Sequence, residues 1–334
     1  RLPEHQLAEL RGAAARRRVP VLGITGRGGS GKSSLTDELI RRFRLDHEDK
    51  LSIAVIAVDP TRRRGGGALL GDRIRMNALD PSDRGGAVYF RSLATRTATT
   101  VPPGIDDIVA ATKAAGADLV IVETPGIGQG DAAVVDHVDR SLYVMTPEFG
   151  AASQLEKIDM LDHADVVAIN KFDRRGGADA LRDVRRQLVR NREDFTVGPE
   201  DMPVFGTVAS RFNDDGVTAL YQCVRDLLAD HGLPRPAGGG ALVPVTVKES
   251  SADTAVLPAG RTRYLAEISE TVRGYKQRAR QQARIAREVQ QLRESQRMLR
   301  EANAEKVRAV QALDELAAER ESRLEPTSAK LLAM

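Results

Sequence analysis

Apolar residues follow two different periods along the chain. From Val21 to about Leu233, short unbroken apolar runs alternate with amphipathic stretches. Runs at 21–25, 52–58, 87–91, 118–123, 141–146, 165–170 and 203–208 are too short for helices and rich in β-branched residues, so each predicts a strand. Between them, sets such as Leu35, Leu39 and Ile40 recur at helical spacing. A strand that is apolar throughout, rather than at alternate positions, is buried on both faces. The expected fold is therefore α/β, a mainly parallel sheet covered by helices on both faces. Residues 1–20 read as a lead-in helix, with Leu7 and Leu10 on one face and Pro20 at its end.

The period changes after Leu233. Pro234 to Gly240 has the composition of a flexible linker. From about Arg261 to Leu324 the chain is rich in Ala, Arg, Glu, Gln and Leu, and Ile285, Val289, Leu292, Leu299, Val310, Leu313 and Ala317 follow an approximate heptad seam. Gln296, Asn303 and Lys306 interrupt the seam, and Pro326 is expected to stop the helix. Three parts follow: the lead-in helix, an α/β domain over 21–240, and a linker with a long helical extension over 241–334. The seam predicts a helical or domain partner, a homodimer being one form of it, with an extended linker helix of no specific role as the alternative.

Composition narrows the classes of partner. The 50 basic and 47 acidic side chains nearly cancel to +3, Trp is absent and aromatics are 4%, so nothing calls for nucleic acid. A single cysteine, Cys223, excludes a disulfide framework and a multi-cysteine metal site, which fits the cytoplasm. No apolar run approaches the length of a membrane span, and no signal sequence is visible. The first residue is Arg rather than Met, so the chain is expected to belong to a longer polypeptide.

Between the first strand and the first amphipathic run lies Gly26-Arg27-Gly28-Gly29-Ser30-Gly31-Lys32-Ser33, the phosphate-loop pattern GxxxxGK[ST] in its strand–helix setting. Its glycines let successive N–H groups turn inward on phosphate oxygens, while the next helix aims its positive end at them. Gly28, Gly29, Ser30, Gly31, Lys32, Ser33 and Ser34 are the phosphate-binding candidates. Lys32 would reach the outer phosphates and the Ser33 hydroxyl would join a Mg²⁺ shell. The pattern predicts a nucleoside triphosphate as ligand.

Two further strands end in carboxylates. Asp59 closes 52–58, and Asp72 follows within a Gly- and Arg-rich loop that is placed to close over a γ-phosphate. Glu123 opens Glu123-Thr124-Pro125-Gly126, an acid for the metal shell and a glycine amide for the γ-phosphate. Asn170-Lys171-Phe172-Asp173 matches the guanine-reading NKxD motif. Asp173 accepts both donors of the guanine edge, and burial would leave it unpaired against adenine. Asn170 bonds the base edge and the Lys171 stem packs over the ring. Backbone near Ala209 faces guanine O6, and Ser210 is a base-loop residue, a helix N-cap, or both.

These stretches resemble the GTPase chaperones of adenosylcobalamin-dependent acyl-CoA mutases, as do Val58-Asp59-Pro60-Thr61, Gly71-Asp72-Arg73-Ile74-Arg75-Met76 and Glu123 to Gln129. Met145 to Gly150 and Gln154 to Leu161 are most similar to the branch built into fused isobutyryl-CoA mutases. The resemblance covers about residues 15–235 and, more weakly, the helical remainder. It implies that Arg75 contacts the nucleotide and that Ser33, Asp59, Asp72 and Glu123, with backbone of Val58 or Thr124, surround Mg²⁺. It adds Gln129 and Lys157 to Lys32 as catalytic candidates, with Gln129-Gly130-Asp131 similar to a switch that relays nucleotide state to the mutase. Slow intrinsic GTP hydrolysis, accelerated by a mutase partner, is the implied activity, with GTP/GDP and Mg²⁺ bound here and adenosylcobalamin held only by the partner.

Arg27 departs from the small residue the family pattern leads one to expect. None of His5, His47, His137, His163 and His231 lies in an Asp-x-His-x-x-Gly cobalamin motif. A metal-delivery GTPase for a nickel enzyme would share the nucleotide site but needs a Cys/His cluster. A small-molecule kinase is disfavoured by the guanine motif, and a non-enzymatic nucleotide-dependent interaction module is the remaining alternative.

Overall fold

In the computed structural model, seven strands form one parallel sheet in the order β3-β2-β4-β1-β5-β6-β7. The residues described are 3–59, 76–79, 87–94, 101–126, 131–150, 155–156, 158–193, 196–251, 264–302 and 307–333. The strands are β1 Val21–Gly26, β2 Ile53–Asp59, β3 Val88–Ala94, β4 Leu119–Glu123, β5 Arg140–Met145, β6 Val166–Asn170 and β7 Val204–Thr207. Each apolar run of the sequence yields one of them, shifted by at most a few residues, so the expected α/β sheet is present. Among the described residues of this part the α-helices are α1 Glu4–Ala15, α2 Lys32–Asp46, α3 Ile105–Ala114, the single turn α4 Met160–His163, α5 Gly177–Arg192 and α6 Asp215–Ala229.

Alternate strand residues feed cores on opposite faces. Leu22, Ile24, Leu119, Ile121, Leu142 and Val144 pack with Leu35, Leu39, Ile40 and Phe43 of α2 and Val217, Leu220 and Tyr221 of α6. Their neighbours Tyr143, Met145, Val167 and Ile169 meet Ala180, Leu181, Val184 and Leu188 of α5. Ala54, Ile56, Val120 and Val122 meet Ile105 and Val109 of α3. Burying an aliphatic side chain of this kind contributes ~1.5–3 kcal/mol, so the two-sided core explains the unbroken apolar runs.

The chain divides into two units, Arg1–Val256 and Leu257–Met334. The first extends past the Pro/Gly stretch because residues 240–251 remain bound to it. The Leu242 N–H donates to Asp46 at 3.0 Å, and Asp46 also accepts from the Tyr221 hydroxyl at 2.7 Å and from Arg225 at 3.1 Å. Gly240 has φ +96°, and a Cβ there would lie 2.3 Å from Asp46 Oδ1. This glycine permits a close approach rather than a loose hinge.

In the second unit, the expected single helix is a hairpin. α7 Tyr264–Glu301 and α8 Val307–Glu321 run antiparallel, with Arg300 bonded to Asp314 and Arg293 to Glu321. Gln296, which breaks the seam in sequence, is 7% exposed and donates to Asp314 at 2.6 Å. Ile285 and Val289 are buried with Leu324, so the seam is covered within the chain. Pro326 starts a helix, α9 Pro326–Leu332, instead of stopping one. Proline suits a first helical turn because no intrahelical acceptor awaits its missing N–H.

Candidate nucleotide-binding site

Central β1 ends in the phosphate loop, and its neighbours β4 and β5 lie on either side, so the loop opens into the crevice beyond the C-terminal strand ends. Pairing of β2 with β4 sets Ala57 against Glu123 and brings Asp59 to the same crevice. A cavity of about 280 Å³ is lined by Gly28, Gly29, Gly31, Lys32, Ser33, Ser34, Val58, Asp59, Glu123 and Thr124, among others. Apart from Ser30 and Gly126, the phosphate and metal candidates among the described residues thus share one space. Asp59 and Glu123 are only 3% and 4% exposed. Arg75, Asp72, Gln129 and Lys157 lie outside the described residues.

Glu123 accepts from Ser33 Oγ at 2.7 Å and from Thr36 Oγ1 at 3.0 Å. Thr36 sits one helical turn beyond Lys32 on α2 and was not legible as a site residue. The Thr124 hydroxyl turns away to Thr25 at 2.8 Å, so only its backbone is open to the metal role implied for it. Lys32 donates to the Gly26 carbonyl at 2.7 Å and to Arg27 at 3.2 Å, which holds the ammonium inside its own loop. Gly126 presses on it: at φ +68°, a Cβ would come 2.1 Å from Lys32 Nζ and 2.5 Å from the Gly26 carbonyl.

On the base side, Asn170 is an anchor. Its Nδ2 donates to the Ser30 carbonyl at 2.9 Å, while Oδ1 accepts from the Ala209 N–H at 3.1 Å and from Thr207 at 3.3 Å. It therefore ties the phosphate loop to the loop after β7, and Gly31 is glycine because a Cβ there would lie 2.4 Å from that Nδ2. Lys171, at φ +59°, donates to the Gly29 carbonyl at 2.6 Å. Asp173 is exposed, not buried as adenine rejection would require of the protein alone. Ser210 is exposed and does not cap α6; Asp214 does, accepting from the Val217 N–H at 3.0 Å. The helix begins at Asp215, too far along for Ser210 to reach its first turn.

A turn at Pro147–Phe149 joins the two halves. The Arg27 guanidinium lies over the Phe149 ring, and Glu148 pairs with Arg174 at 2.7 Å, one residue beyond Asp173. Bonds from the Thr146 hydroxyl and Arg174 hold the Glu148 carboxyl down at about 2. Sequence alone offered no signal for either contact.

A glycine-rich loop folded onto its own lysine, acids converging from the adjacent strands and an Asn-Lys-x-Asp turn tied back to that loop are the machinery of a P-loop GTPase, and this domain is one. Residues 4–234 match the family described as "Methylmalonyl Co-A mutase-associated GTPase MeaB", and the chain belongs to that family. It is 60% identical over 99% of its length to the "Fused isobutyryl-CoA mutase" of Nocardia farcinica, covering 30% of that protein. It is 62% identical over 84% of its length to the protein so named from Paraburkholderia xenovorans, covering 22% of it. For the Geobacillus kaustophilus protein of that name the identity is 48% over 96% of this chain and 29% of the relative. The chain thus spans less than a third of the length of these relatives. Among the described residues, no helix is long and apolar enough to cross a membrane.

Proposed function

We propose that this domain hydrolyses GTP with Mg²⁺ and acts as the chaperone portion of a cobalamin-dependent acyl-CoA mutase of the fused isobutyryl-CoA type. The observation that carries the chemistry is the Ser33–Glu123 pair in the cavity beside Lys32. Mg²⁺ takes one or two carboxylates and leaves its other positions to water and phosphate oxygens. Ser33, Glu123 and Asp59 fit that donor set, with Val58 or Thr124 backbone and Asp72 as further candidates. Bound Mg²⁺ would neutralise charge on the β- and γ-phosphates.

Lys32 would exchange the Gly26 and Arg27 carbonyls for phosphate oxygens, stabilising the charge that develops as water attacks the γ-phosphorus. Gly126, against Lys32, would offer its amide to the γ-phosphate. Asp173 would accept the two guanine donors, the base itself supplying the cover that the carboxylate lacks. Gln129 and Lys157 remain the proposed catalytic additions, and Arg75 a nucleotide contact.

The mutase partner is supported by the fused relatives, in which this domain forms part of a longer chain. Adenosylcobalamin would bind in that partner, and the nucleotide state would gate its loading and protection. A homodimer draws less support from the heptad seam now that α7 and α8 cover it; a monomer mass in sedimentation of the full chain would remove it. The test of function is GTP against ATP hydrolysis with Mg²⁺, with and without a cobalamin-loaded mutase module. GTP-selective turnover that rises with the mutase supports the reading. Equal turnover of ATP, or indifference to the mutase, overturns the base or the partner assignment respectively.

A further inference from the structure

The last strand of the sheet, β7, has a bare edge that the chain itself returns to cover. The Gly206 N–H donates to the Lys248 carbonyl at 2.9 Å, and the Ser250 N–H donates to the Gly206 carbonyl at 2.9 Å. Glu249 and Gly206 form a parallel bridge between these bonds. Gly216, in the first turn of α6, makes room, since a Cβ there would lie 2.7 Å from the Ser250 nitrogen. Residues 248–251 therefore lie against the end of β7 where the 208–214 loop begins.

Side chains then bind this strap to that loop. The Arg211 guanidinium donates to Ser250 Oγ at 2.9 Å and to the Ser251 carbonyl at 2.8 Å. Asp214, fully buried, accepts from the Ser250 hydroxyl through one oxygen; the other accepts from the N–H of Val208 at 3.1 Å and of Val217 at 3.0 Å. Burial raises its carboxyl above the ordinary range, and the three donors together with the Arg211 guanidinium, 3.7 Å from its Oδ1, offset that cost. Asp215 accepts from the Ser251 N–H at 2.9 Å and from its hydroxyl. The loop so held carries Ala209, whose N–H meets Asn170 Oδ1, whose Nδ2 in turn meets the phosphate loop at Ser30.

We propose that Ser250 and Ser251 are positioning residues for base recognition: they hold the Val208–Asp214 loop where its backbone meets the 6-oxo edge of a purine nucleotide. Hydrogen-bond discrimination depends on placement within about 0.5 Å, which a short surface loop does not secure unaided. The strap lies beyond the residues matched by the family, 4–234. This inference rests on the guanine reading of the site.

The experiment is calorimetry on the full chain with Mg²⁺, using GDP, ADP and pyrophosphate, for wild type, the Ser250→Ala/Ser251→Ala double variant, Arg211→Gln and Ser250→Thr. The double variant and Arg211→Gln are expected to lose about tenfold in GDP affinity, the equivalent of one to two net hydrogen bonds, with pyrophosphate unchanged within about twofold. Ser250→Thr, which keeps the hydroxyl, should retain wild-type GDP affinity. An unchanged GDP-to-ADP ratio in both weakened variants overturns the proposal, as does an equal loss of GDP and pyrophosphate. Arg211→Gln also removes the cation 3.7 Å from the buried Asp214, so the single variant Ser251→Ala, which spares that pair, decides the matter if the other variants do not fold. Wild type that binds ADP as well as GDP would instead overturn the guanine reading beneath it.

Discussion

The Arg27 guanidinium carbon sits 4.3 Å from the centroid of the Phe149 ring. The long side chain that departs from the expected loop pattern is thus turned onto an aromatic face and is not part of the cavity lining. An exposed cation–π contact is worth about 0.5–1 kcal/mol. Arg27→Ala should lower stability by about that much, read by denaturant melts, and change nucleotide affinity by less than about threefold. A larger loss of affinity would assign Arg27 to the phosphates.

Gly126 packs directly against the Lys32 ammonium. Alanine there meets the left-handed conformation, costing about 1–2 kcal/mol, and also the Lys32 ammonium. Gly126→Ala should reduce GTP turnover by at least about tenfold, through displacement of Lys32 or of the loop after β4. Wild-type turnover with normal thermal stability would show that the loop relaxes freely.

Glu123 holds two hydroxyls of α2 at once. Glu123→Gln keeps an acceptor but removes the charge that a divalent cation needs. The Mg²⁺ enhancement of GTP binding should fall by about 10–100-fold, while nucleotide binding without metal changes little. An unaltered Mg²⁺ titration would place the metal elsewhere.

Asp173→Asn should relax base choice, because an amide presents a donor where guanine also donates. The measured ratio of GTP to ATP affinity is expected to fall by about tenfold or more. A preserved ratio removes Asp173 from base reading.

Cys223 offers a pH test of the core. Burial pushes its thiol up to about 11 from an ordinary value of 9.0. The folded state therefore keeps a proton that the unfolded state loses, and stability should decline as pH rises from about 9 to 11. Cys223→Ala should flatten that part of the melting profile. Alkylation at pH 8 should be slow in the native protein and fast in denaturant.

The sheet was legible because a strand buried on both faces leaves an unbroken apolar run, as at Ile53–Asp59 and Val166–Asn170. Motif chemistry was legible because phosphate binding demands glycines and a lysine at fixed offsets. Arg27 on Phe149 was not, since any exposed aromatic serves an arginine and the partners are 122 residues apart in sequence. The N-cap alternative for Ser210 fails because both Ser and Asp suit that position, and only the start of α6 at Asp215 selects Asp214. Of the two readings the heptad seam allows, contact surface or solvated linker helix, the buried Ile285 and Val289 favour the contact surface. Its partner being the same chain depends on the reversal between Glu301 and Val307.

Local sequence determined which segments become strands and helices, and it determined that a phosphate loop, two strand-end acids and a guanine motif exist. Those properties depend on neighbours a few residues away, through backbone preference and side-chain period. The tertiary structure decided what meets what: Thr36 with Ser33 on Glu123, Gly126 on Lys32, Asn170 bridging Ser30 to Ala209, and Ser250 on the buried Asp214. Such contacts arise from strand order and loop closure across long separations, and many residue types satisfy any one of them. No local pattern in the chain records them.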